Sequence, residues 1–183
     1  MVRPHRQPGE QSEGGDQQPD PGQQDGPFAE PGGALRELVD AGTVRAAGLS
    51  NVDGVQIRTA YEILGPRLVS VRNRFSPAHL STRDTLGPCT ELGLAFLPWS
   101  PLGGISRSAV DDPDVAGPAP DTPFHALART RGVSPQQVCL AWQLAQSPVV
   151  VPIPGARRPA SDRDSAGAAG LTLSAAEVAG LHL

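Results

Sequence analysis

Apolar positions along the chain fall into short runs that switch between a helical and an extended period. Leu35, Leu38 and Val39 recur at helical spacing within residues 34–41, and Gly42 closes the segment, which predicts a helix. The short apolar run at 44–49 predicts a strand. The alternation then repeats, with a helix over 52–64 closed by Gly65-Pro66, a strand over 68–71, a helix over 82–92 and a strand over 94–99. Gly87-Pro88 lies inside the 82–92 helix and is expected to break or kink it. Helices follow over 124–131 and 135–146, the second with Val138, Ala141, Trp142 and Ala145 on one face and Ser134-Pro135 as cap and first turn. A strand over 149–153 precedes a weak helix over 160–169. A better helix covers 174–181, where Ser174 and Glu177 have capping-box spacing.

Short strands that are apolar on both faces and separated by helices are the pattern of parallel strands covered by helices. The fold expected is α/β, with about four parallel strand–helix units forming either a small open sheet or half of an eight-stranded barrel. Residues 1–33 break from this pattern: they are Gln, Gly, Pro, Asp and Glu, with Met1, Val2, Phe28 and Ala29 almost the only apolar side chains. Such a segment buries too little surface to offset its chain entropy. The chain therefore divides into a disordered low-complexity segment over 1–33 and a folded unit over 34–183. A long Gly/Pro/Asp loop is expected over 101–123.

Composition narrows the chemistry. All 15 basic residues are arginine, which excludes lysine Schiff-base chemistry and a lysine-bearing phosphate loop. A net charge of −4 over 183 residues argues against a nucleic-acid partner. Cys89 and Cys139 have neither metal-ligand spacing nor a disulfide framework, and are expected to be part-buried thiols of a reducing cytoplasm. No apolar run reaches the ~18–20 residues of a membrane span, and no apolar run follows Arg3 and Arg6 as a secretory signal would require. The expected location is cytoplasmic, with no membrane partner and no metal.

Three polar or glycine-rich clusters each follow a predicted strand: Gly48-Leu49-Ser50-Asn51, Trp99-Ser100-Pro101-Leu102-Gly103-Gly104, and Pro152-Ile153-Pro154-Gly155-Ala156-Arg157-Arg158. The C-terminal ends of parallel strands are where such folds place their sites. Taken singly, each cluster reads as a cap, a core residue or an ordinary turn. Their order and spacing, together with residues 34–45, Arg72-Asn73-Arg74-Phe75-Ser76-Pro77, Phe96-Leu97-Pro98 and residues 132–142, resemble the C-terminal half of an aldo/keto reductase. That family comprises NADP-dependent (β/α)8 barrels.

The resemblance implies a partial TIM-type barrel carrying strands five to eight, and NADP (NADPH) as cofactor. Ser50 and Asn51 would hydrogen-bond the nicotinamide carboxamide, and Trp99 would stack on its ring. Ser100, Leu102 and Gly103 would line the pyrophosphate, with glycine allowing close backbone approach. Gly155, Ala156 and Arg157, with Arg158 beside them, would form the adenosine-phosphate loop, and an arginine fork suits a 2′-phosphate. Arg72 stands where the family usually has a glutamine gripping the carboxamide, and so places a fixed charge in the site. Asp164 and Ser165 stand where a Glu–Asn pair usually binds the adenosine end.

The family's catalytic tyrosine, lysine, aspartate and histidine come from its first four strands. This chain has one tyrosine, Tyr61, within a predicted helix, and no lysine. His5 is a distant echo of the histidine in a low-complexity run. No residue is therefore assigned as catalytic, and the chain is expected to be a truncated reductase, inactive alone. A small-molecule carbonyl substrate enters only if a second chain completes the barrel. The alternatives are that half-enzyme, or a non-catalytic NADP-binding or interaction module. Open barrel edges are also expected to promote self-association.

Overall fold

The computed structural model of the chain describes residues 29–105 and 121–183. The disorder expected of residues 1–28, the reading of His5 and the central part of the 101–123 loop lie outside the described residues.

Helix α1 runs over Ala29–Asp40, five residues ahead of the expected folded boundary. Pro31 does not prevent this, because it sits in the first turn, where no intrahelical N–H partner exists. Gly32 is a contact rather than a breaker: a Cβ there would lie 2.9 Å from Ile63 Cδ1. That residue belongs to α2, Gly54–Leu64, so the glycine lets the two helices approach. Asp53 caps α2 reciprocally with Gln56, the two backbone N–H groups donating to Gln56 Oε1 at 2.9 Å and Asp53 Oδ1 at 2.8 Å.

Strands β1 (Ala47–Ser50), β2 (Leu68–Arg72) and β3 (Ala95–Phe96) pair in parallel in the order β1-β2-β3. The fourth expected strand, 149–153, is not a full strand. It joins through one parallel bridge, Phe96 to Val150, with the Phe96 N–H donating to Val149 O and the Val151 N–H to Phe96 O, both at 2.8 Å. The physical reason is proline: Pro148, Pro152 and Pro154 on this segment, and Pro98 after β3, have no N–H to give a ladder. Among the described residues the expected four units appear as three paired strands and a fourth segment joined by a single bridge.

In register, Leu49, Val71, Phe96 and Val150 form one row across the sheet, and all four are buried. They share a core with Ile57, Ala60 and Leu64 of α2, Cys89 of α3 (Leu86–Leu92), Phe124 of α4 (Pro123–Arg131), and Val138 and Trp142 of α5 (Pro135–Leu144). Phe75 stacks on Trp142 at 5.7 Å and meets Phe96 edge-on at 5.9 Å, tying sheet to helix. The expected break at Gly87-Pro88 does not occur. Pro88 is in the first turn of α3, and a 3-10 turn over Arg83–Thr85 leads into it. Helices α6 (Pro159–Gly167) and α7 (Ala175–Gly180) complete the described chain.

The other sheet face is open. A Cβ on Gly48 would lie 2.5 Å from Ser70 Oγ, which places both on this face. Val151 and Ile153, alternating with buried Val150, are 49% and 37% exposed, and Val69 at the β1–β2 bulge is 46% exposed. Among the described residues the sheet does not close, and β1 and the 149–153 segment are its edges. Parallel sheets are normally covered on both faces. No helix among the described residues is long and apolar enough to cross a membrane.

Candidate cofactor-binding site

The site is built where β1 and β2 end. Ser50 lies opposite Arg72 in the ladder, and the next N–H, of Asn51, donates to Arg72 O at 3.0 Å. Asn51 has φ +55, a left-handed conformation that asparagine tolerates better than most side chains. The following residue is clamped by Asn73, which is wholly buried. Val52 N–H donates to Asn73 Oδ1 at 3.0 Å, and Asn73 Nδ2 donates to Val52 O at 2.7 Å. One amide thus holds two turns together.

The same framework places Trp99. Its backbone N–H donates to Asn73 O and its indole Nε1–H to Asn51 Oδ1, each at 3.0 Å. The indole is half-buried, and the guanidinium carbons of Arg72 and Arg74 lie 5.8 and 5.5 Å from its ring centroid. Both arginines are exposed, and neither belongs to an ion pair among the described residues.

Ser100 follows at φ +48, the second non-glycine residue in the left-handed region after Asn51. The turn closes with the Gly103 N–H donating to Ser100 O at 3.1 Å. A Cβ on Gly103 would lie 2.7 Å from Ser76 Oγ, so only glycine fits without a shift. Leu102 packs partly buried on the core. Helix α5 anchors this turn from below: Gln143 Nε2 donates to Pro101 O at 2.5 Å and Cys139 Sγ approaches it at 3.4 Å. Burial pushes the Cys139 thiol far up, and the Cys89 thiol up to about 11, so both are packing groups. Gln143 Oε1 is buried and has no hydrogen-bond partner among the described residues.

The third cluster follows the 149–153 segment, whose Ile153 N–H donates to Pro98 O at 3.4 Å. Gly155, Ala156, Arg157 and Arg158 are exposed. Helix α6 begins directly after them, with no side-chain cap on its first N–H groups. Pro159 has no N–H, and the Ser161 and Asp162 N–H groups donate to Arg158 O at 2.9 and 3.3 Å, so what this loop offers an anion is the guanidinium groups of Arg157 and Arg158, which belong to no ion pair among the described residues. Asp164, on α6, is tied elsewhere: it accepts from Ser134 Oγ at 2.6 Å and Gln137 Nε2 at 2.7 Å, docking α6 on the start of α5. Ser165 lines a cavity of about 330 Å3 with Leu140, Pro152, Pro154 and Asp162.

The structure therefore brings Ser50, Asn51, Arg72 and Trp99 into one cluster, with Ser100, Leu102 and Gly103 on the adjoining turn. Gly155, Ala156 and Arg157 sit on a separate exposed loop, and Asp164 and Ser165 on the helix behind it. Sequence reasoning assigned no role to Asn73, Arg74 or Gln143. Asn73 and Arg74 lay inside a quoted stretch, but a tie to Val52 or Trp99 has no local signature. Tyr61 is half-buried in α2 against the core. Among the described residues no group of three His, Cys, Asp or Glu side chains could hold a metal.

Comparison with known proteins places the chain in a family. The chain is 32% identical over 140 residues to pyridoxine 4-dehydrogenase of Escherichia coli K12, covering 76% of this chain and 44% of that protein. It is 34% identical over 119 residues to aldo-keto reductase family 1 member A1 of Pongo abelii, covering 65% of this chain and 36% of that protein. The chain thus spans less than half the length of these curated relatives. A thermostable aldo-keto reductase solved with the inhibitor epalrestat superposes with a TM-score of 0.69 at 26% identity, over 86% of this chain and 54% of its own. An aldo-keto reductase of Klebsiella pneumoniae solved with NADPH gives 0.67 at 25% identity, over 85% and 53%. A sequence model of the aldo/keto reductase family matches residues 17–182, and the chain belongs to that family.

Proposed function

We propose that this chain carries the NADPH-binding half of an aldo/keto reductase, corresponding to strands five to eight of the barrel. The observation that carries the reading is the cluster of Asn51, Trp99 and Arg72 at the ends of parallel strands, with an exposed arginine loop after the neighbouring bridged segment.

The residues present fit the cofactor. With Asn51 Oδ1 occupied by the indole, Asn51 Nδ2 and the Ser50 hydroxyl remain to meet a carboxamide, which offers both a donor and an acceptor. Trp99, held by Asn51 and Asn73, presents an indole plate for the ring. The close-packed Gly103 turn leaves backbone accessible for the pyrophosphate. Arg157, with Arg158, would grip the 2′-phosphate at the uncapped start of α6. Ser165 and the cavity it lines would receive the adenosine end, whereas Asp164 acts by docking α6.

Bound NADPH supplies a hydride, and a carbonyl accepting it needs a proton or a stabilised oxyanion. Among the described residues neither a tyrosine nor a lysine stands at the cluster to give that proton: Tyr61 is on α2, and the sequence has no lysine. On this reading the chain alone binds cofactor without turning over aldehydes or ketones. The exposed Val69, Val151 and Ile153 support completion by further strands, or self-association where none are supplied. The two buried, unpaired thiols are in keeping with a reducing compartment such as the cytoplasm.

Two assays on one preparation test the proposal. Calorimetry is expected to show saturable, one-to-one NADPH binding, weakened by Arg157→Ala. NADPH oxidation over a panel of aldehydes is expected to stay at the uncatalysed rate. Turnover by the purified chain would overturn the missing-acid argument, and absence of binding by a folded chain would overturn the cofactor assignment.

A further inference from the structure

We infer that Arg72 and Arg74, gathered on Trp99, make the site select the reduced over the oxidised nicotinamide cofactor; the inference rests on the reading that Trp99 carries the nicotinamide ring. Arg72 is the last residue of β2, and Arg74, two residues on, bridges to Trp99. Alternation along an extended chain puts both on the same side. Their guanidinium carbons lie 5.8 and 5.5 Å from the centroid of the same indole.

Among the described residues no carboxylate pairs with that charge. The ion pairs among the described residues sit at Arg36, Arg58, Arg129 and Arg131, and none reaches Arg72 or Arg74. Arginine keeps its charge at any ordinary pH. Both side chains are exposed and long, so either can leave the indole face without leaving its neighbourhood.

The two cofactor forms differ at the nicotinamide alone. The dihydropyridine ring is neutral and the pyridinium ring carries one positive charge. Contacts to the pyrophosphate, ribose and 2′-phosphate are common to both forms and cancel in the ratio of affinities. A fixed unit charge acting on the pyridinium over a separation of about 6 Å, at an effective dielectric of about 20, would disfavour the oxidised form on the order of 100-fold. Exposure to solvent and salt reduces this to about tenfold. The consequence is directional: reduced cofactor loads, and oxidised cofactor leaves.

The test is a pair of equilibrium titrations, NADPH and NADP+, on the 183-residue chain. The wild type is expected to bind NADPH about tenfold or more tightly than NADP+. The double variant Arg72→Gln/Arg74→Gln is expected to bring the ratio towards one, mainly by strengthening NADP+ binding. Arg72→Lys, which keeps the charge, is expected to preserve the preference, which separates charge from shape. Arg157→Ala is expected to weaken both forms alike and leave the ratio intact. A ratio unchanged in the double variant overturns this inference while the cofactor site stands. Failure of the wild type to bind either form overturns the cofactor site and the inference with it.

Discussion

The Trp99 indole N–H donates to Asn51 Oδ1 at 3.0 Å, so the turn after β1 fixes the orientation of the aromatic plate after β3. The two residues are 48 positions apart, and Asn51 is held at φ +55 to make the contact. Asn51→Ala removes the acceptor and leaves a β-carbon in the left-handed region. It is expected to cost about 1–2 kcal/mol in urea unfolding and to weaken NADPH binding about tenfold. Asn51→Gly loses the same acceptor but relieves the backbone. It is expected to recover part of the stability and none of the affinity, as unfolding and calorimetry on the pair would show.

Asn73 is the hidden fastener of the site. It is wholly buried and satisfies both the N–H and the C=O of Val52. Asn73→Ala leaves both groups unpaired, each costing about 1–3 kcal/mol when buried. The expected outcome is a loss of about 2–4 kcal/mol in denaturant unfolding, larger than for Asn51→Ala.

Gly103 is required by its neighbour. A Cβ there would lie 2.7 Å from Ser76 Oγ, and Ser76 is 1% exposed and unable to swing into solvent. Gly103→Ala is expected to destabilise the chain by about 1–3 kcal/mol. Adding Ser76→Ala removes the closest atom and leaves a Cβ at 3.2 Å, which a small shift accommodates. The double variant is expected to regain most of the loss in thermal unfolding.

Acid should loosen the last helix first. The Arg131 guanidinium, then the backbone and hydroxyl of Ser174, hold the Glu177 carboxyl down to about 2. The folded-state value lies below the ordinary 4.5, so the stabilisation is complete above that pH. It is lost as pH falls from about 4.5 towards 2. Wild type is expected to exceed Glu177→Gln in unfolding midpoint at neutral pH, with the difference shrinking through this window. A difference constant with pH would contradict the assignment.

How much of this could be read in the sequence depends on the range of the interaction. The alternation of apolar runs located each helix and the three paired strands, because their causes are local. Capping at Ser174 and Glu177 was legible for the same reason. Pro88 reads as a breaker and Gly32 as part of a low-complexity segment, yet both sit in helices. First-turn position excuses a proline and a close helix contact uses a glycine, and neither is visible in a window of sequence. The bridged 149–153 segment reads as a strand from its apolar side chains, while its prolines withhold the N–H groups a ladder needs. In the site, Ser50, Asn51, Arg72 and Trp99 were reached through the family resemblance. Gln143 and Asn73 were not, because their partners lie 42 and 21 residues away. Arg74 is placed at Trp99 by a bridge between segments 25 residues apart, which leaves no local signature in the sequence.

The most direct test of the central claim is energy transfer from Trp99 to NADPH. Trp142 is buried against Phe75 and Phe124, so Trp142→Phe leaves Trp99 as the sole indole. In that background, titration with NADPH is expected to quench Trp99 emission saturably, with sensitised nicotinamide emission, and Arg157→Ala is expected to shift the curve to higher concentration. A folded, unaggregated chain whose Trp99 emission does not respond would contradict the assignment of this half-barrel as the cofactor-binding half.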